Sequence, residues 1–118
     1  MILVDTSIWI DHFRRANDDL IALLKKVEVA THPFVIGELS CGNLKNRRAI
    51  LALLDELPKV TIAENEEVLG LVESRRLMGN GIGWMDAHLL ASSLLSGTPL
   101  WTADKKLRSL SAILGVLY

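Results

Sequence analysis

Apolar positions along this chain recur at two spacings. Ile2-Leu3-Val4 is a short, unbroken run of apolar residues starting almost at residue one, the pattern of a strand buried on both faces, as in a parallel sheet. Glu28 to Thr31, Val60-Thr61-Ile62 and Pro99-Leu100-Trp101-Thr102 predict three more strands, and Gly115 to Tyr118 a last edge strand. Between these runs the period lengthens to that of a helix. Asp5-Thr6-Ser7 supplies capping side chains for a helix through Phe13, and Asp18 and Asp19 open another with Leu20, Leu23, Leu24 and Val27 on one face. Pro33 suits a first helical turn, with Phe34 to Cys41 continuing it and Gly42 ending it. Arg47 to Leu57 predicts a helix stopped by Pro58, and Glu64, Glu66 and Glu67 crowd the first turn of one running to about Met78. Gly79-Asn80-Gly81-Ile82-Gly83 is the clearest loop. Met85 to Leu95 is apolar on nearly all sides, hence central, and Lys105 to Leu110 predicts a short last helix. Strands alternating with helices imply the α/β class, an α/β/α sandwich of three layers around a short, mostly parallel sheet.

Length and composition narrow this picture. A chain of 118 residues, half of them hydrophobic, suits one domain, 1–118, with a sizeable core and little left over for linkers. The formal net charge of −1 gives no overall basic signature of a nucleic-acid binder, so any such role must rest on local patches. Cys41 is the sole cysteine, which excludes an intramolecular disulfide and a CxxC-type zinc site; its apolar surroundings predict a buried, inert thiol. The amino terminus lacks the pattern of a signal peptide, and the longest strongly apolar segment, Leu89–Leu95, is too short to span a bilayer, so a cytosolic location is expected.

Four carboxylates stand out by context. Asp5 directly follows the first strand, Glu38 interrupts the apolar stretch Phe34–Leu39, Asp86 lies at the start of the central apolar helix, and Asp104 follows the Leu100-Trp101 strand. The carboxyl ends of parallel strands lie along one edge of a sheet, where ligands bind, so Asp5 and Asp104 share that edge and Glu38 and Asp86 can face the same crevice. Like charges gathered this way raise one another's pKa, a conflict that hard divalent cations with oxygen ligands relieve. Such a cation generates hydroxide and stabilises charge on a phosphodiester, and a pair about 3.5–4 Å apart holds both attacking and leaving oxygens. Each acid also has a plainer reading: Asp5, Asp86 and Asp104 as helix N-caps, Glu38 as the partner of an arginine.

Val4-Asp5-Thr6-Ser7, Val35-Ile36-Gly37-Glu38-Leu39, Trp84-Met85-Asp86-Ala87-His88-Leu89-Leu90-Ala91 and Leu100-Trp101-Thr102-Ala103-Asp104-Lys105-Lys106-Leu107, taken in order, resemble a VapC-type PIN domain over essentially the whole chain. The resemblance implies a Mg²⁺- or Mn²⁺-dependent endoribonuclease, the toxin of a toxin–antitoxin pair. By position it makes Asp5, Glu38, Asp86 and Asp104 the catalytic metal-site acids, with Thr6 and Thr102 supporting them. A further acid carried by some such proteins three residues past the Asp104 position is Leu107 here, which bears on whether one or two ions bind. The resemblance also implies a homodimer and a cognate VapB-like antitoxin, seated on the helices around Leu20–Val27 and Ile50–Leu57, with an arm that masks the acids.

The remaining residues add less. His12, His32 and His88 have no metal-ligand spacing, and no GxxxxGK[ST] run exists. Basic residues come in pairs, of which Lys105 and Lys106, with Arg108, stand next to Asp104 and are the candidates for holding RNA phosphates; the others read as solvated helix faces. Trp84 and Trp101 flank the acids, with core packing favoured over stacking on bases. Two other classes compete: a PIN-like module without activity that binds RNA or protein, and a hydrolase using Asp5 as nucleophile. The second normally carries another aspartate where this chain has Ser7.

Overall fold

In the computed structural model, which describes residues 1–118, β1 (Ile2–Val4) is the middle strand of a parallel sheet ordered β2-β1-β3. All three of its residues are buried, as the unbroken apolar run requires of a strand covered on both faces. β2 (Val29–Ala30) and β3 (Leu100–Trp101) flank it, with Leu3 paired to Ala30 on one side and to Leu100 on the other. Seven helices surround the sheet: α1 (Thr6–Arg14), α2 (Asp18–Lys25), α3 (Pro33–Ser40), α4 (Arg47–Glu56), α5 (Asn65–Arg75), α6 (Trp84–Ser96) and α7 (Lys105–Ile113). The α/β sandwich expected from the alternating pattern is the fold observed.

Local chemistry explains where these helices start. Asn17 caps α2 by accepting from Leu20 N–H, and α5 opens with a reciprocal capping box between Glu64 and Glu67. His32 caps α3 through its ring Nδ1, which accepts from Phe34 N–H at 2.9 Å. α6 is the most enclosed helix, with Ala87 to Ser93 continuously buried, in keeping with its apolar sequence.

Two expected strands are reduced to single bridges. Lys59 bridges Thr31, but the Val60–Ile62 run forms no strand, because Thr61 N–H and Ala63 N–H donate to the hydroxyls of Ser96 and Ser92 on α6. Leu117 bridges Leu100 at the far edge, all that forms of the Gly115–Tyr118 strand. α5 ends at Arg75, earlier than its pattern predicts, because Arg76 takes a left-handed conformation with φ of 54°. Cys41 is exposed rather than buried: it caps α3 at a point where the chain leaves the core, so the apolar stretch around it misleads.

Candidate active site

Asp5 directly follows β1 and stands at the N-cap position of α1, yet its carboxylate caps nothing. Its Oδ2 accepts from Ser7 Oγ and from Thr102 Oγ1, both at 2.7 Å. The parallel pairing of Val4 with Trp101 accounts for this contact, since the next residue along each strand, Asp5 and Thr102, must then lie side by side. Ser7 Oγ in turn accepts from Ala103 N–H at 3.0 Å, and Thr102 Oγ1 from Asp104 N–H at 3.1 Å. Both hydroxyls therefore donate to the carboxylate while held from behind by backbone. Asp5 is only 6% exposed and its Oδ1 accepts no hydrogen bond from the protein.

Asp104 does cap its helix: Oδ1 accepts from Leu107 N–H at 2.9 Å, so the plainer reading holds for one of its oxygens. The bond leaves Oδ2 without a protein partner. Asp86 lies in the first turn of α6, half-buried, with the Gly83 backbone favouring its charged form. Glu38 is exposed on α3, not buried as its apolar neighbours suggested; the helix turns it outward to line a groove of about 530 Å³ with Phe13, Leu44 and Ile50.

These four acids share one field. Partial desolvation raises the pKa of Glu38, and the charges of Asp5 and Asp86 push it the same way. Desolvation also raises that of Asp86, joined by Asp5 and Asp104, while Gly83 opposes. Water screens much of this at the exposed Glu38, so Asp86 is the acid more strongly held by its surroundings. The Thr6 hydroxyl stands near enough to Glu38 to favour its charged form but closes no hydrogen bond, and its oxygen is buried without a partner. No lysine or arginine relieves the crowding, because the chain's one ion pair, Lys59 with Asp55, belongs to α4 and the turn after it.

The donor set suits a hard cation. No three of its acids, histidines or cysteines stand close enough to grip an ion by direct ligation alone. Mg²⁺ does not demand such a cage, since it retains several waters and binds through one or two carboxylates plus substrate phosphates. Carboxylate oxygens without protein partners on Asp5 and Asp104 are the kind of ligand it prefers.

Ser7 is the member of this site that its sequence concealed. It reads as a capping residue, yet its hydroxyl donates to Asp5, two residues back, and through the register of β1 against β3 accepts from Ala103, 96 residues on. Lys105, Lys106 and Arg108 are exposed on α7, immediately past Asp104. His88 points away from the acids into an aromatic cluster and is 2% exposed.

A nuclease-like acidic edge on a short parallel sheet defines the class, and comparison with known proteins names it: the chain belongs to the PIN domain family, whose model matches residues 2–113. Within that family it is a VapC-like ribonuclease. It is similar to Ribonuclease VapC32 of Mycobacterium tuberculosis, in strains CDC 1551 / Oshkosh and H37Rv, with 48% identity over 117 residues, 98% of this chain and 94% of each relative.

Proposed function

We propose that Asp5, Glu38, Asp86 and Asp104 hold Mg²⁺ or Mn²⁺, as one ion or two, and that the chain, acting as a single nuclease domain over 1–118, uses this site to hydrolyse RNA phosphodiester bonds as an endoribonuclease toxin. One observation carries the reading: burial and the charges of neighbouring acids raise the pKa of Glu38 and of Asp86 at a sheet edge where no lysine or arginine forms an ion pair with them. When bound, the cation would supply a nucleophile at neutral pH and neutralise charge on the phosphate.

The chain's own residues do the rest. Ser7 and Thr102 fix Asp5 in one orientation, with Oδ1 left for the crevice. Glu38, exposed on α3, would hold the ion directly or through one of its waters. Lys105, Lys106 and Arg108 hold flanking phosphates. The groove beside Glu38, lined by Ile10, Phe13, Leu39 and Ile50, takes the arm of a VapB-like antitoxin, whose arginine would pair with the acids in place of metal. A homodimer and a cytoplasmic location complete the reading; no helix is long and apolar enough to cross a membrane.

Purified protein incubated with RNA and Mg²⁺ tests it. Cleavage is expected, with loss of at least a hundredfold in Asp5→Asn and in Asp86→Asn while the circular dichroism spectrum is kept. Full activity or full growth inhibition from either variant would refute the assignment.

A further inference from the structure

The loop before α6 and the first turn of that helix enclose a slot that the acid chemistry leaves unused. It has a volume of about 190 Å³ and is lined by Leu77, Met78, Ile82, Gly83, Trp84 and Ala87, among others. No lining side chain carries a charge, and the Trp84 indole N–H is the one polar group among them. Two large apolar residues stand open to solvent at its wall, Trp84 at 42% and Met78 at 50% exposure. Trp84 is nevertheless held in place: His88 meets it edge-on, with ring centroids 4.7 Å apart and planes at 83°. His88 is itself fixed by Asn65 Oδ1 at 3.1 Å and by Phe34, whose centroid lies 4.7 Å away. An indole kept rigid but uncovered is a stacking platform rather than a core residue.

The slot is continuous with the acids. Gly83 lines it, and the backbone of the same residue faces the Asp86 carboxylate. On its other flank Gly81, at φ of +78°, lies against Lys106, so closely that a Cβ there would come within 2.6 Å of both Cδ and Nζ. The ammonium thus rests on the loop that walls the slot. An apolar pocket, a cation and an acid of the proposed metal site in succession match the order of groups in a nucleotide: base, flanking phosphate, scissile phosphate.

We propose that this slot receives one unpaired nucleobase of the RNA, stacked on Trp84, beside the phosphodiester to be cut. The proposal rests on the ribonuclease reading above and deepens it, because only a single-stranded or looped segment can offer a base splayed out of its stack.

Binding of a short labelled single-stranded RNA of mixed sequence, followed by fluorescence anisotropy with Asp5→Asn protein to prevent cleavage, tests it. Adding Trp84→Ala is expected to weaken binding about tenfold or more, and Trp84→Phe to recover most of the loss. A duplex of the same length should bind equally with and without Trp84. Deleting single bases from the RNA should weaken binding at one position in the parent and at none in Trp84→Ala protein. Equal affinity of Trp84→Ala and parent for single strands, or equal losses on single strand and duplex, overturns the base slot, and Trp84 then serves a protein partner or the fold. If the parent binds no RNA of either kind, the ribonuclease reading itself falls, a result separable from the first.

Discussion

Each acid of the crevice answers to a different local influence, and the variants should separate them. Thr102 is 1% exposed and its hydroxyl links Asp5 to the Asp104 backbone. Thr102→Val, with the same shape and no hydroxyl, should cost about 1–3 kcal/mol in urea unfolding, because it leaves a charged acceptor short of a donor. It should also lower kcat, since Asp5 loses its fixed orientation. Asp86 makes the opposite prediction for stability. Its folded pKa is raised, so its contribution to stability is lost as pH rises through that value, and the charged form opposes folding at neutral pH. Asp86→Asn should therefore inactivate the protein yet leave the thermal midpoint of metal-free protein unchanged or a few degrees higher. A large fall in midpoint would show instead that the carboxylate is structural.

At the scale of elements, α7 and α3, which carry or adjoin two of the proposed site acids, owe their starts to side-chain caps. Asp104 combines two roles, capping α7 through Leu107 N–H and presenting charge to the crevice. Asp104→Asn keeps a good cap and removes the charge, whereas Asp104→Ala removes both. Both should lose cleavage, but only the alanine variant should lose about 1 kcal/mol of stability by chemical unfolding. α3 begins at His32, fully buried, its pKa lowered from 6.5 to about 4 by burial and by the nearby His88. Between those values the unfolded chain binds the proton and the folded chain does not. Stability is therefore whole above pH 6.5 and declines as pH falls toward 4, by an amount on the order of 2–3 kcal/mol at the lower end. Thermal midpoints measured across that window should fall more steeply for the parent than for His32→Asn, which retains a capping side chain.

Over the whole molecule, the proposed metal site would couple stability to metal concentration without making the fold depend on the ion. Crowded carboxylates that no lysine or arginine relieves oppose the folded state, and the divalent cation proposed for this site would offset that cost. Millimolar Mg²⁺ should raise the thermal midpoint, and the rise should shrink in Asp5→Asn and Asp86→Asn. Chelation with EDTA should abolish cleavage and leave the fold intact, because the hydrophobic core around β1 needs no ion. A midpoint insensitive to Mg²⁺ in a protein that cleaves without metal would overturn this coupling.

Much of the fold was legible because apolar periodicity is a local property. The buried run Ile2-Leu3-Val4, the Pro33 helix start, the glycine loop at 79–83 and the apolar α6 all follow from residues a few positions apart. So does the placing of Asp5 and Asp104 just past strands, the feature that singled them out. What the chain alone left undecided is whatever depends on contacts between distant segments. The register of β1 on β3 brought Thr102 onto Asp5 and Ala103 onto Ser7, and nothing in the Asp5-Thr6-Ser7 triplet distinguishes that from a helix cap. Hydroxyls on α6 took the backbone donors that a Val60–Ile62 strand would have used. Glu38 and Cys41 sit amid apolar neighbours and yet reach solvent, and Trp84 stands open where packing was favoured, because burial depends on which side of an element meets another. Local pattern sets the elements; their packing sets which side chains face one another, and the chemistry lies in that facing.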